Sequence, residues 1–229
     1  MIPLRDTIPS ERKPVVNYAI IGLNAFFFLI EVFAGGAQHD IITNFGVIPF
    51  RFVDNWSSSL RELLTPLSAM FLHGGWLHIL SNMLYLYIFG DNVEDALGHG
   101  KYLAFYLTCG FLSFLTQIMI NTSSMVPNIG ASGAVAGVLG AYLLLYPRAR
   151  VVTLLPLFVV FTMVEIPAYF FLGFWFLMQL AGGTAQLGNQ NPFSGGIAFW
   201  AHIGGFVAGA LLLGLFLPKW RMRFPGRRL

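Results

Sequence analysis

A serine, two histidines and an asparagine are the side chains of this sequence that could together carry out nucleophilic chemistry. Ser132 begins an apolar stretch that continues to Leu145. His202 lies near the start of a second apolar stretch, and His78 and Asn82 lie four residues apart in a third. A serine hydroxyl becomes a good nucleophile when a base removes its proton, and a neutral histidine is the usual base. The sequence therefore offers Ser132 as a nucleophile and His202 as its base.

Acyl transfer at such a pair also needs hydrogen-bond donors for the charge that develops on the carbonyl oxygen. The Ser132 N–H is predicted to lie at a helix N-terminus, where the helix dipole favours negative charge. His78 and Asn82 project from one face of a helix, because residues four apart are neighbours there. Since no carboxylate is placed to orient the imidazole, we predict a dyad in which packing holds His202.

The composition places these residues in a membrane protein. The chain has 229 residues, of which 56% are hydrophobic and 10% charged, and soluble domains usually carry about 25% charged residues. The length predicts one domain, residues 1–229, with about six spans of ~20 residues. The single Cys109 excludes a disulfide framework and a cysteine-built metal site. Basic residues cluster at segment ends, which favours a role in membrane orientation and argues against a nucleic-acid partner.

The apolar stretches predict an all-α bundle of six transmembrane helices, at about 15–34, 76–90, 102–120, 132–145, 166–181 and 197–217. The run from Val151 to Ala181 is too long for one crossing, because about 30 residues of helix would measure ~45 Å against a ~30 Å hydrocarbon layer. We interpret Val151 to Val164 as an interfacial or re-entrant piece. Charged residues predict a polar turn after the second span, namely Asp91, Glu94, Asp95 and Lys101.

The distribution of basic residues predicts the orientation of the bundle. An even number of spans places both termini on one side, and that side carries all the Lys and Arg residues except Arg51 and Arg61. The positive-inside bias therefore predicts cytoplasmic termini. The short N-terminal segment is not the Arg- and Ser-rich kind that directs proteins to organelles, which favours a bacterial inner membrane.

This orientation allows the depths of the polar side chains to be compared. Ser132 lies 16 residues before Arg148 and His202 lies 17 before Lys219, which places both roughly 24–26 Å above the cytoplasmic anchors. His78 lies 13 residues before Asp91, which places it roughly 20 Å above the cytoplasmic end of its span. The span that begins at Ser132 is only ~21 Å long, so its start lies below the outer membrane surface. Irregular backbone at that depth survives only where it is buried in protein or lines a water-filled cavity. A cavity open to the outer side would supply water for hydrolysis.

Glycines on the fourth and sixth spans predict that these two helices pack closely. Gly133 and Gly137 are four residues apart, as are Gly205 and Gly209. This is the spacing of small residues at interfaces between transmembrane helices. Contact between the two faces would bring the serine within hydrogen-bond distance of the histidine.

These motifs resemble those of the rhomboid family of intramembrane serine proteases. The similar segments are Gly130 to Gly133 with the sequence GASG, Ala201 to Gly205 with AHIGG, and His73 to Asn82 with HGGWLHILSN. They occur in the family's order, and the resemblance covers nearly the whole chain.

The resemblance implies a function and a set of roles. Ser132 would be the nucleophile, His202 the general base, and His78 and Asn82 the oxyanion donors together with the Ser132 N–H. It further implies that no metal or cofactor is used. The substrates would be single-span membrane proteins, which enter laterally from the lipid bilayer beside the fifth span and are cleaved near the outer face.

The sequence departs from the family at two places. Some members carry a tyrosine that stacks on the base, and the corresponding residue here is Ala136. The adjacent Trp-Arg pair that many members show in the first loop is missing from the expected place, where Arg61 stands beside Glu62. The sequence therefore leaves open which residues pack against His202 and what anchors the loop.

Each candidate residue has a simpler interpretation when it is taken alone. Ser132 could be a packing residue, His202 a buried hydrogen-bonding histidine, and His78 and Asn82 polar contacts between helices worth about 0.6–2 kcal/mol. Their common depth favours catalysis. Two other classes of function are an inactive relative that binds transmembrane helices as a scaffold or chaperone, and a small-solute transporter. The lack of internal repeats and of paired intramembrane charges disfavours the transporter.

Overall fold

The computed structural model describes residues 1–157, 160–188, 191–193 and 195–217. Within these ranges the chain forms nine α-helices and one three-stranded sheet. The helices are α1 (Val15–Phe33), α2 (Gln38–Phe45), α3 (Pro49–Asn55), α4 (Leu60–Ala69), α5 (Trp76–Leu97), α6 (His99–Ile120), α7 (Ser132–Leu145), α8 (Ala168–Gln186) and α9 (Phe199–Phe216). The strands are β1 (Ile2–Asp6), β2 (Arg150–Leu157) and β3 (Val160–Pro167).

Six of the helices lie at or near the positions predicted for membrane spans. Within the described residues, four of them, α1, α6, α8 and α9, are long and apolar enough to cross a bilayer. The other two differ, because α5 carries polar side chains along its length, among them His78, Asn82 and Asp91, and α7 has only 14 residues. The basic tail from Lys219 onward, on which the predicted orientation partly rests, lies outside the described residues.

Helix α7 lies at the centre of the bundle, against α5, α6 and α9. Every residue from Gly133 to Tyr142 is buried. The contact with α9 is backbone to backbone, since a Cβ atom on Gly209 would lie 2.0 Å from the Gly137 carbonyl oxygen. Small residues on both helices thus allow the close approach that their spacing predicts.

The loop between α1 and α5 contains the three short helices α2, α3 and α4. The buried carboxylate of Glu62, 1% exposed, forms an ion pair with Arg51 at 2.8 Å. Arg51 also donates to the carbonyl oxygens of Thr43 and Gly46. Arg51 on α3 is thereby joined to α2, to the residue that follows α2, and to α4. Arg51 and Glu62 therefore anchor this loop, which lacks the adjacent Trp-Arg pair at the expected place.

The prediction of an all-α fold is wrong for the segment that follows α7. The residues interpreted as an interfacial or re-entrant piece form strands β2 and β3, which pair antiparallel from Arg150 opposite Pro167. Strand β1 adds to the other edge of β2, with Ile2 opposite Leu154. The fifth long helix consequently begins at Ala168, two residues later than predicted. The segment is rich in valine, which favours strands, and hydropathy alone does not separate a buried strand from a helix.

The predicted polar turn after the second span is also wrong. Helix α5 continues through its three carboxylates to Leu97, and the chain turns at Gly98, where φ is 82°. The buried Glu94 carboxylate accepts the backbone N–H groups of Val16 at 3.0 Å and Asn17 at 2.7 Å. A carboxylate at a helix N-terminus satisfies N–H groups that have no partner within the helix. This charge therefore fixes the start of α1 to the bundle.

Candidate active site

The hydroxyl oxygen of Ser132 lies 2.8 Å from Nε2 of His202. Ser132 is the first residue of α7, and His202 lies in the first turn of α9. The close packing of these two helices brings the side chains together. The N–H groups in the first turn of a helix have no intrahelical partner, so the positive end of α7 lies at the serine. This is the nucleophile and base contact that serine catalysis requires.

The other ring nitrogen of His202 contacts a side chain that the sequence did not predict. Nδ1 lies 2.7 Å from Oε1 of Gln179 on α8. Trp175, one turn earlier on α8, lies beside the imidazole with a centroid distance of 5.9 Å and an interplanar angle of 31°. Ala136 is buried within α7, so the contacts that hold His202 come from another helix. The available signal in the sequence was a polar glutamine within an apolar span.

His78 and Asn82 line the same cavity as the serine and His202. The Gly74 N–H donates to Nδ1 of His78 at 3.4 Å, so the neutral ring carries its proton on Nε2. A Cβ atom on Gly130 would lie 2.6 Å from that Nε2. The donating nitrogen of His78 therefore lies beside the loop that leads into Ser132.

Asn82 is held by a second histidine. The Asn82 amide nitrogen lies 3.1 Å from Nε2 of the buried His73. The backbone N–H of His73 in turn lies 3.0 and 3.2 Å from the two carboxylate oxygens of Glu31, which is buried on α1. An amide has two N–H groups, and one of them remains for the cavity when the other donates to His73. Glu31 thus supports the loop that carries this histidine.

A cavity of about 920 Å³ opens onto these groups. Its walls include polar side chains from α6 and α8, among them Gln117 and Gln186. The Gln117 side-chain oxygen accepts the Ala201 N–H at 3.1 Å, which fixes the first turn of α9 next to His202. A polar cavity of this size has room and partners for several water molecules.

The loop that leads into α7 lines this cavity and is held by backbone hydrogen bonds. Val47 and Asn128 exchange two bonds, at 3.0 and 2.7 Å, and the Gly130 N–H donates to the Ala69 carbonyl oxygen at 2.8 Å. Gly130 has a φ of 119°, in the region that favours glycine. The irregular backbone before Ser132 therefore has protein partners and lies beside the cavity, as the short fourth span predicts.

Comparison with known proteins shows that most of the chain matches one protein family. The profile of the Rhomboid domain matches residues 60–219. The chain is 33% identical to Rhomboid protease GluP of Bacillus subtilis over 135 residues, which are 58% of this chain and 25% of that protein. It is 35% identical to RHOMBOID-like protein 5 of Arabidopsis thaliana over 135 residues, 59% of this chain and 42% of that protein.

A longer match extends to a mitochondrial protein. The chain is 27% identical to Rhomboid protein 1, mitochondrial, of Saccharomyces cerevisiae over 180 residues, 74% of this chain and 47% of that protein. The chain thus spans less than half the length of each of these three relatives.

Proposed function

The chain belongs to the rhomboid family of multi-pass membrane proteins, and from this premise we propose that it is a serine endopeptidase that cleaves transmembrane-helix substrates near the outer membrane face. The observation that carries the proposal is the 2.8 Å contact between the Ser132 hydroxyl and Nε2 of His202. His78 and Asn82 at the same cavity support it, and so does the similarity to a relative named as a protease.

In the proposed reaction, Nε2 of His202 takes the Ser132 proton while the serine oxygen attacks the scissile carbonyl carbon. The carbonyl oxygen becomes an oxyanion, which accepts hydrogen bonds from His78, Asn82 and the Ser132 N–H. The carbon–nitrogen bond then breaks, and the imidazolium gives its proton to the leaving amine. Water from the cavity, deprotonated by His202, then attacks the acyl carbon. The ester bond to the serine oxygen breaks, the carboxylic acid product leaves, and the imidazolium returns its proton to the serine oxygen.

The proposed substrates are single-span membrane proteins that reach the cavity from the lipid bilayer beside α8. A substrate helix hides its carbonyl groups in its own hydrogen bonds, so the cleaved segment must unwind before the serine can attack. We further propose that the membrane is a cell inner membrane and that both termini are cytoplasmic. The orientation follows from the positive-inside bias, because with six spans every Lys and Arg residue except Arg51 and Arg61 lies on the side of the termini.

Covalent labelling tests the proposal directly. A fluorophosphonate probe is expected to label the purified protein in detergent, and labelling should disappear in Ser132→Ala and fall sharply in His202→Ala. Ser58→Ala, which alters an exposed serine of the first loop, is the matched control and should label normally.

Cleavage of a labelled single-span substrate in proteoliposomes completes the test. The parent protein and Ser58→Ala should cleave the substrate, and Ser132→Ala should not. Equal cleavage by Ser132→Ala would overturn the proposal. A parent protein that binds the substrate but neither cleaves it nor reacts with the probe would instead be an inactive scaffold.

A further inference from the structure

We propose that Gln179 is a positioning residue that holds His202 in the tautomer and orientation needed for proton transfer from Ser132, an inference that rests on the proposed function. Gln179 is 9% exposed. The other buried residues of α8, all within its described range, are nonpolar: Ala168, Phe171, Leu172 and Gly183. The Gln179 amide therefore points inward among apolar side chains, and it contacts the proposed base, His202.

The orientation of the Gln179 amide is set by a second hydrogen bond. Its Nε2 donates to the carbonyl oxygen of Trp175 at 3.3 Å. This contact leaves Oε1 facing Nδ1 of His202 at 2.7 Å. An amide turned by 180° would place its oxygen against the Trp175 carbonyl oxygen, so that two acceptors would face each other. The arrangement with Oε1 toward the histidine satisfies both ends of the amide.

This orientation determines where the imidazole proton lies. An amide oxygen only accepts hydrogen bonds, so Nδ1 of His202 must donate to Gln179. In the neutral ring the remaining nitrogen, Nε2, then has a free lone pair. That lone pair faces the Ser132 hydroxyl at 2.8 Å, which is the form that a general base requires.

Trp175 restrains the same ring in a second direction. Trp175 and Gln179 are four residues apart and share one face of α8. The indole lies beside the His202 ring at an interplanar angle of 31°, whereas the amide contacts the ring at Nδ1. Together they oppose tilting and rotation of the imidazole. They supply, from α8, the restraint that a tyrosine at position 136 would supply from α7.

Two substitutions of Gln179 separate hydrogen bonding from packing. Gln179→Met keeps the length of the side chain and removes the acceptor, and kcat for the single-span substrate should fall roughly 10–100-fold with KM within about twofold. The loss is smaller than the ~10⁴-fold known for a charged triad partner, because the amide is neutral. Gln179→Glu retains an acceptor oxygen and should recover most of kcat. Leu211→Met, at a position that is 76% exposed on α9 and away from the proposed entry beside α8, is the control and should not change kcat.

A second measurement follows the tautomer without turnover. In protein labelled with ¹⁵N-histidine, the His202 signal, identified by its loss in His202→Ala, should show the proton on Nδ1. In Gln179→Met the signal should shift toward a mixture of both tautomers, which a purely structural role would not produce.

Defined outcomes would overturn the inference. It is wrong if Gln179→Met retains kcat within twofold, if the Met and Glu variants are equally impaired, or if the tautomer is unchanged in Gln179→Met. Cleavage by Ser132→Ala would instead refute the proposed function. An inactive Ser132→Ala together with a fully active Gln179→Met would refute only the role of Gln179.

Discussion

Gly205 of α9 lies so close to α7 that a Cβ atom added to it would stand 2.0 Å from the carbonyl oxygen of Gly133. Gly133 follows the proposed nucleophile directly, and Gly205 lies three residues after the proposed base. The separation of the two reacting side chains thus depends on a contact between two backbones. A side chain at Gly205 has no flexible neighbour to displace and must push the helices apart.

We predict that Gly205→Ala lowers cleavage at least 10-fold and the free energy of unfolding by about 1–3 kcal/mol, the usual cost of overpacking. Gly205→Leu should abolish cleavage. The measurements are substrate turnover in proteoliposomes and thermal unfolding in detergent. Gly214→Ala is the matched control on the same helix, because nothing lies within 4 Å of the added Cβ atom. Full activity of purified Gly205→Leu would contradict the importance of this contact.

A second prediction concerns the loop before the nucleophile. At Gly130 an added Cβ atom would meet Nε2 of His78 at 2.6 Å, and the φ of 119° is itself unfavourable for alanine. Gly130→Ala should therefore displace the donor on His78 and lower kcat by about 10²–10³-fold, the usual effect of losing one oxyanion donor. Single-turnover cleavage would measure this step.

Combination with His78→Ala distinguishes this cause from a general disturbance of the fold. If both changes remove the same donor, the double variant should be no slower than the more impaired single variant. Multiplied losses would show that Gly130→Ala acts elsewhere. Gly100→Ala, where nothing lies within 4 Å of the added atom, should leave kcat unchanged.

The two arginines at Glu62 allow a comparison of a buried and an exposed ion pair at one carboxylate. Both contact the same oxygen, at 2.8 Å for Arg51 and 2.9 Å for Arg61, but their side chains are 21% and 53% exposed. Arg51→Ala should reduce the free energy of unfolding by about 3 kcal/mol, because it leaves the buried carboxylate underpaired. Arg61→Ala should cost about 0–1 kcal/mol. Thermal unfolding in detergent would rank the two variants, and equal losses would contradict the anchoring role of Arg51.

Local signals in the sequence predicted part of this fold well. Helix α7 has its predicted bounds, Ser132 to Leu145, because Gly130 lies two residues before its start and Tyr146-Pro147 ends it. The convergence of Ser132 and His202 followed from their equal depth, which depends only on the rise of a helix and on the positions of charged anchors. Neither inference required knowledge of distant contacts.

The parts that were missed depend on such contacts. Strand β2 pairs with β1, in which Ile2 lies opposite Leu154, and no local pattern connects segments so far apart in sequence. Predicting the contact between Gln179 and His202 would have required knowing which face of α8 points toward α9. That face could not be predicted while the start of the helix was uncertain, since a shift of two residues turns a side chain by about 200°.

The N-terminal strand β1 is tied to the bundle through Asp6. Its carboxylate oxygen Oδ2 accepts hydrogen bonds from the Tyr142 hydroxyl on α7 and from the Asn92 side chain on α5. Burial raises the pKa of Asp6 from its ordinary value of 3.8 to about 6, the Tyr142 hydrogen bond opposes the rise, and the nearby Asp91 carboxylate adds to it. The folded protein therefore binds this proton more tightly than the unfolded chain does.

This difference gives the stability a defined dependence on pH. Because the pKa is higher in the folded state, the contribution of Asp6 is fully present below about pH 4 and is lost as the pH rises to about 6. We predict that thermal unfolding in detergent shows this decline, on the order of 1 kcal/mol after solvent screening. Asp6→Asn, which resembles the protonated form, should remove it, whereas Asp54→Asn on the exposed surface of the first loop should not. An unchanged decline in Asp6→Asn would assign it to another group, because an amide does not titrate in this range.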